Sequence, residues 1–194
     1  MVIGTKEEFE KIITNPRKYR KKVLSGDYEI TYDYSEKYAA LVKAMKIKSR
    51  KERIIFIYDH ACDTIDRYNE ENGLLCSFHQ GRCLAAEKGG RVNGCCYRCR
   101  YQSSKGCPSK NLTCKFYFCA RFLKEKPSPL KFEDFPEFKL LSKLQQEIIK
   151  TNAYCKRETF IRLLLWDNFI AFYIYSAAKI VNLILGEWKN RRLS

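Results

Sequence analysis

Residues 35–72 read SEKYAALVKAMKIKSRKERIIFIYDHACDTIDRYNEEN, with no proline or glycine among them. Apolar side chains recur at Tyr38, Leu41, Val42 and Met45, then at Ile54, Ile55, Tyr58, Ala61, Cys62, Ile65 and Tyr68. Steps of three and four residues put each set on one face of an α-helix. The basic run KIKSRKER, residues 46–53, separates the two stripes, so the spacing predicts one long helix or two in succession, ended by Gly73. A chain organised around such stripes is mainly α.

On the N-terminal side, Thr5-x-x-Glu8 has the form of a capping box, and Phe9, Ile12 and Ile13 follow at helical spacing. Pro16 predicts a break or kink in that helix. SGDYEITYDYSEKY, residues 25–38, alternates polar with aromatic or β-branched residues, as a strand or extended arm does. On the C-terminal side, KPSPLKFEDFPEF (126–138) carries three prolines and reads as a linker folded against the surface. Phe138 to Lys150 reads as an amphipathic helix, and Glu158 to Lys189 as a long and very apolar one.

Only Lys179 is charged between residues 168 and 186, a length close to a membrane span. Arg162 and Asp167 interrupt the same apolar pattern, and the amphipathic partner helices need something to bury against. The last helix is therefore assigned to the core of a bundle, or to the interface of a homodimer, with a membrane segment as the alternative. The resulting division is an N-terminal helical segment over 1–72, a cysteine-rich module over 73–126, and a C-terminal helical segment over 127–194 that packs with 1–72.

The middle segment is of another kind. GCCYRCRYQSSKGCPSKNLTCKFYFC, residues 94–119, holds six cysteines, and Cys76 and Cys83 precede it. The set is Cys76, Cys83, Cys95, Cys96, Cys99, Cys107, Cys114 and Cys119; Cys62 and Cys155 fall outside it, on predicted helices. Few aliphatic residues lie in this region, so it needs a staple other than a core of its own. Eight thiolates suffice for two tetrahedral four-cysteine centres, of zinc or of iron–sulfur clusters. Disulfides or unligated thiols are the competing readings. Cys107-Pro108 matches the Cys-Pro pair that closes ferredoxin-type runs, and His79 reads as a surface histidine. The N-terminal residues lack the apolar core and cleavage site of a secretory signal, which predicts a reducing cytoplasmic location where clustered cysteines favour metal over disulfides.

The chain's 194 residues and 27 aromatic side chains support an ordered core, and its formal net charge is +15. Eleven Lys or Arg against two Glu lie between Cys76 and Lys126. Eight thiolates and two divalent ions would reduce that excess to about +5, so part of the basicity balances buried thiolate charge. The remainder interleaves cations with rings: Tyr97, Arg98, Arg100, Tyr101, Lys105, Lys110 and Lys115 are the candidate nucleic-acid contacts. Phe116 and Phe118 are expected to pack the module onto the helices instead.

GCCYRC followed by GCPSKNLTCKFYFC resembles bacterial cysteine-cluster proteins of the zinc- or iron-chelating kind, over residues 76–119. That resemblance implies metal chelation without an established reaction. Six residues separate Cys76 from Cys83, where those proteins pair their opening cysteines closely.

Catalytic signatures are missing. Gln102 stands where a Cys-x3-Cys-x2-Cys radical cluster needs its last cysteine, and no phosphate loop, dinucleotide fingerprint, nucleophile elbow or His-Glu-x-x-His occurs. The two histidines, His60 and His79, are too few for a triad or a histidine-rich centre, and Asp59, His60 and Asp63 are expected on a solvated helix face. The sequence therefore leads to a non-catalytic protein with two metal centres, partnered by nucleic acid or an acidic protein. An iron–sulfur redox or sensing protein and a membrane-anchored accessory protein are the alternatives.

Overall fold

Local chemistry decides where the first helices begin and end. Thr5 Oγ1 accepts the Glu8 amide at 3.3 Å while the Glu8 carboxylate accepts the Gly4 and Thr5 amides, closing a capping box on α1 (Lys6–Thr14). Asn15 leaves helical geometry, and Pro16, which has no amide hydrogen to place, starts α2 (Pro16–Leu24). The computed structural model describes residues 1–72, 78–79, 82–83, 110–116, 129–152 and 155–192, with the backbone alone at 78–79, 82–83, 179, 182–184 and 186–192.

Gly26, at φ 82°, supplies the left-handed turn that brings the chain back from α2. A short strand β1 (Val2–Ile3) then pairs in parallel with β2 (Glu29–Ile30). The alternation over 25–38 is realised as extended chain whose Tyr32 and Tyr34 rings lie 5.4 and 5.3 Å from Phe9, with Tyr38 edge-on at 5.6 Å. Buried Phe9 is thus the floor on which the arm is laid.

The 35–72 stretch forms a 3-10 turn (Glu36–Tyr38) and two helices, α3 (Ala39–Lys46) and α4 (Arg50–Glu71). The split falls inside the basic run, where Ser49 caps α4 by accepting the Glu52 amide at 3.3 Å. The face of α4 that carries Ile54, Ile57, Tyr58, Ala61, Cys62 and Ile65 is buried. Two two-residue strands, β3 (Phe78–His79) and β4 (Arg82–Cys83), pair antiparallel with Phe78 opposite Cys83.

The chain re-enters the core at 110–116. Tyr58, fully buried, donates its hydroxyl to the Lys110 carbonyl at 2.5 Å and accepts the Leu112 amide at 3.1 Å. Asn111, also fully buried, donates to the Asn152 and Cys155 carbonyls and accepts the Cys114 amide at 2.9 Å, capping the one-turn helix α5 (Leu112–Lys115). Phe116 packs edge-on against Phe135 at 5.6 Å, as expected of it; Phe118 lies outside the described residues.

Of the described part of the proline-rich segment, residues 135–138 belong to the core and are not a surface linker. Phe132–Asp134 and Pro136–Leu140 are 3-10 helices, and Phe135, Pro136, Glu137, Phe138 and Leu140 are buried. Three residues per turn stack Phe132, Phe135 and Phe138 on one face, and prolines tolerate a backbone with few amide bonds. Phe132 and Phe135 lie 4.7 and 5.2 Å from Phe138. The expected helix over 138–150 accordingly starts later, as α6 (Lys143–Thr151), behind a Ser142/Gln145 capping box.

The long C-terminal helix is two helices, α7 (Arg157–Trp166) and α8 (Phe169–Arg192), divided at Asp167, whose φ of 47° is left-handed. Cys155 lies just before α7, not on a helix. Burial differs sharply between the two. Phe160, Ile161, Leu163 and Leu164 are buried, with Phe160 5.0 Å from the Tyr58 ring, whereas Phe169, Ile170, Tyr173, Ile174, Ile180, Val181 and Leu185 are each more than half exposed. On α8, Phe172 and Tyr175 pack partly against the core and the opposite face is bare, so the expectation of a central core helix holds for α7 alone. Among the described residues no helix is long and apolar enough to cross a membrane.

The molecule is mainly helical, with eight α-helices and little sheet among the described residues. Its buried cluster draws on Ile12, Leu41 and Ile57 from one end of the chain and on Phe138, Ile148 and Phe160 from the other. Tyr58→Phe keeps the ring but orphans the buried Leu112 amide and removes the partner of the part-buried Lys110 carbonyl, so it is expected to destabilise by about 1–3 kcal/mol. Asn111→Ala, which orphans more groups, should cost more. Urea unfolding followed by circular dichroism measures both.

Candidate functional site

The outer face of α4 is an acidic ladder. Asp59, Asp63 and Asp66 follow at steps of four and three residues, which keeps them on one side of the helix. Arg157 donates to both Asp59 oxygens, at 2.7 and 2.5 Å, a bidentate fork that raises the pKa of its guanidinium. Lys110 Nζ lies 2.9 Å from Asp63 Oδ1, and this hydrogen bond raises the pKa of its ammonium. Lys115, little exposed, pairs with Asp66. His60 Nδ1 lies 2.9 Å from Oε1 of Glu137, which is buried. The face is solvent-exposed, as expected, with Asp63 and Asp66 more than half exposed, and it also carries a row of ion pairs that binds α4 to the 110–116 segment, the 3-10 helix at 136–140 and α7.

Among the cysteines assigned to metal, Cys114 stands half-buried on α5, and Cys83 is described in backbone only, on β4. Cys76, Cys95, Cys96, Cys99, Cys107 and Cys119 lie outside the described residues, as do Tyr97, Arg98, Arg100, Tyr101 and Lys105. Of the nucleic-acid candidates, Lys110 and Lys115 are described, and each already holds a carboxylate. Among the described residues no group of three or more His, Cys, Asp or Glu is arranged to hold a metal ion.

The two cysteines excluded from the metal set are both buried. Burial on the inner face of α4 pushes the Cys62 thiol up to about 12, an effect that Lys115 opposes and the neighbouring aspartates reinforce. At neutral pH Cys62 is a buried thiol and not a reactive thiolate.

A second constellation was not anticipated from the sequence. A cleft of about 200 Å³ opens between α2 and the start of α4, lined by Arg17, Arg20, Arg50 and Arg53 over Ile54, Leu140 and Leu141, with Ser142, Gln145 and Asp167 at its edge. Arg20 Nη2 donates to the Ile47 and Lys48 carbonyls at 2.7 and 3.2 Å, and Arg53 Nη1 to the same Ile47 carbonyl at 3.3 Å. Arg50 donates to the Leu165 carbonyl at 2.8 Å and to Asp167 Oδ2 at 3.3 Å. Burial and the charges of Arg20 and Arg50 draw Arg53 down to about 10. The available signal was the i, i+3 spacing of the arginine pairs 17/20 and 50/53, each of which shares a helix face.

No family model, curated protein or solved structure matches the chain.

The buried thiol has a consequence in alkali. The unfolded chain releases the Cys62 proton near pH 9, while the folded protein keeps it to about 12. Its stabilising contribution is complete below pH 9 and is lost as pH rises toward 12, by up to about 1.4 kcal/mol per pH unit. Cys62→Ala should flatten the fall of stability measured by denaturant unfolding between about pH 9 and 11, relative to its own value at pH 7.

Proposed function

We propose that the chain is a non-catalytic metal-binding protein. In this reading residues 73–126 form a module held by two four-cysteine centres, of zinc or of iron–sulfur clusters, and seated on the helical core as a binding or regulatory element for nucleic acid or an acidic protein. The observation that carries it is the separation of the ten cysteines. Cys62 and Cys155 are buried in the core, which leaves the eight that two tetrahedral centres require. The docking of α5 is a further support, since Asn111 and Tyr58 hold the turn that bears Cys114 rigidly against α4. A segment poor in aliphatic side chains gains order from such an anchor at one end and from metal along its length.

Metal analysis and an absorption spectrum of anaerobically purified protein test this directly. Two equivalents of zinc in colourless protein, or iron and sulfide with visible absorption, are the expected results; the second would also favour redox or sensing work over a purely structural role. Metal-free protein in which all eight thiols react freely with a thiol reagent would overturn the reading. For the nucleic-acid partner, binding to single-stranded or duplex probes should weaken steeply between about 50 and 200 mM salt. No binding at low salt would leave the acidic protein.

A second reading concerns assembly. Ile170, Ile174, Ala177 and Val181 are exposed at steps of four, three and four residues, the spacing of a helix–helix seam. A second copy of the chain, offering the same stripe, would cover it. Sedimentation equilibrium should then give a concentration-dependent dimer that the double variant Ile170→Asp, Ile174→Asp reduces to monomer, with the helical signal unchanged.

A further inference from the structure

The arginine cleft has a charge excess that the surrounding protein does not answer. Asp167 is the one carboxylate among its lining residues, and it is shared between Arg50 and the Ser142 hydroxyl, 2.5 Å from its Oδ1. Arg20 and Arg53 are held by backbone carbonyls, which orient a guanidinium without neutralising it. Arg17 has no hydrogen bond or ion pair among the described residues. The Arg20 Nε hydrogen is buried and lacks an acceptor, which in a folded protein is a standing cost. Burial is the larger cause of the lowered Arg53 pKa, and the charges of Arg20 and Arg50 across the cleft add to it.

We propose that this cleft binds a small phosphate-bearing anion. A dianion there would meet the free fork of Arg17 and offset the repulsion among the remaining guanidinium groups that line the cleft. The size agrees: about 200 Å³ lies below the ~300–1,000 Å³ typical of drug-sized ligands, and suits a phosphate with a short substituent resting on Ile54, Leu140 and Leu141. Ser142 Oγ accepts the Gln145 amide and donates to Asp167, and Gln145 Nε2 donates to the Leu164 carbonyl, so both are held as fixed polar groups at the rim. The lining comes from α2, α4, the 140–145 stretch and Asp167, so an occupant would tie four distant parts of the chain together. The site shares no residue with the cysteine module and stands or falls independently of it.

The test is ligand-dependent thermal stability and calorimetry on the full chain, using inorganic phosphate and glycerol phosphate against sodium chloride at matched ionic strength. Metal content is followed in parallel. The expected result is a saturable rise in Tm with either phosphate, and an affinity reduced about tenfold or more in Arg17→Gln and in Arg53→Gln. Arg17 is exposed and unbonded, so its variant keeps the fold and serves as the decisive arm if Arg53→Gln is destabilised. Equal stabilisation by chloride, or unchanged affinity in Arg17→Gln, would overturn the proposal. Stabilisation by a short oligonucleotide alone, with no response to either small phosphate, would also overturn it, and would assign the arginines to a nucleic-acid surface.

Discussion

Two buried polar side chains, the Tyr58 phenol and the Asn111 amide, govern how the halves of this molecule meet. Neither can be left without partners inside a core, because each lost hydrogen bond there costs on the order of 1–3 kcal/mol. Their partners are backbone groups of Lys110, Leu112 and Cys114 on one side and of Asn152 and Cys155 on the other. A hydrophobic contact would tolerate sliding; this set of directional bonds accepts one register. The 110–116 stretch of the cysteine-rich region is thereby fixed to α4, and its apolar side chains, Leu112 and Phe116, add their burial. The same constraint seats the turn that leads into α7, whose Phe160 then closes on the Tyr58 ring.

Charge is distributed by use. The cations at 110, 115 and 157 answer the three aspartates of α4 and serve as struts between elements. Exposed struts such as Lys110–Asp63 add little stability individually, while the forked Arg157–Asp59 pair adds orientation. The arginines of α2 and of the start of α4 face a cleft with one carboxylate. A net charge of +15 is thus no single footprint. Part of it is internal scaffolding, part gathers in the cleft, and part lies among the cysteines.

Much of the fold is local and was legible for that reason. The Thr5 box, the break at Pro16, the two stripes of residues 38–68 and the ending near Gly73 are written in neighbouring residues. The failures share one cause, which is that the deciding partner is remote. Phe132, Phe135 and Phe138 looked like linker residues because 3-10 geometry, and the Phe116 ring packed near all three, are invisible in a proline-rich string. Asp167 carries no glycine or proline signal; Arg50 and Ser142 support its left-handed backbone from 117 and 25 residues away. The solvated face expected at Asp59, His60 and Asp63 is exposed, but its ion pairs were not visible because the partners lie 47 to 98 residues further along. Apolar composition made α8 look central, yet composition does not say which faces find cover. For the candidate sites, the arginine pairs were visible singly and their convergence was not.

Asp167 links two parts of the molecule that otherwise share little. Its backbone turns the chain out of α7 and into α8, and its carboxylate is the counterion of the arginine cleft. The bearing of the exposed helix is therefore set by an electrostatic joint and not by packing alone. Salt screens that ion pair, so ionic strength acts on a contact at the point where α8 leaves the core.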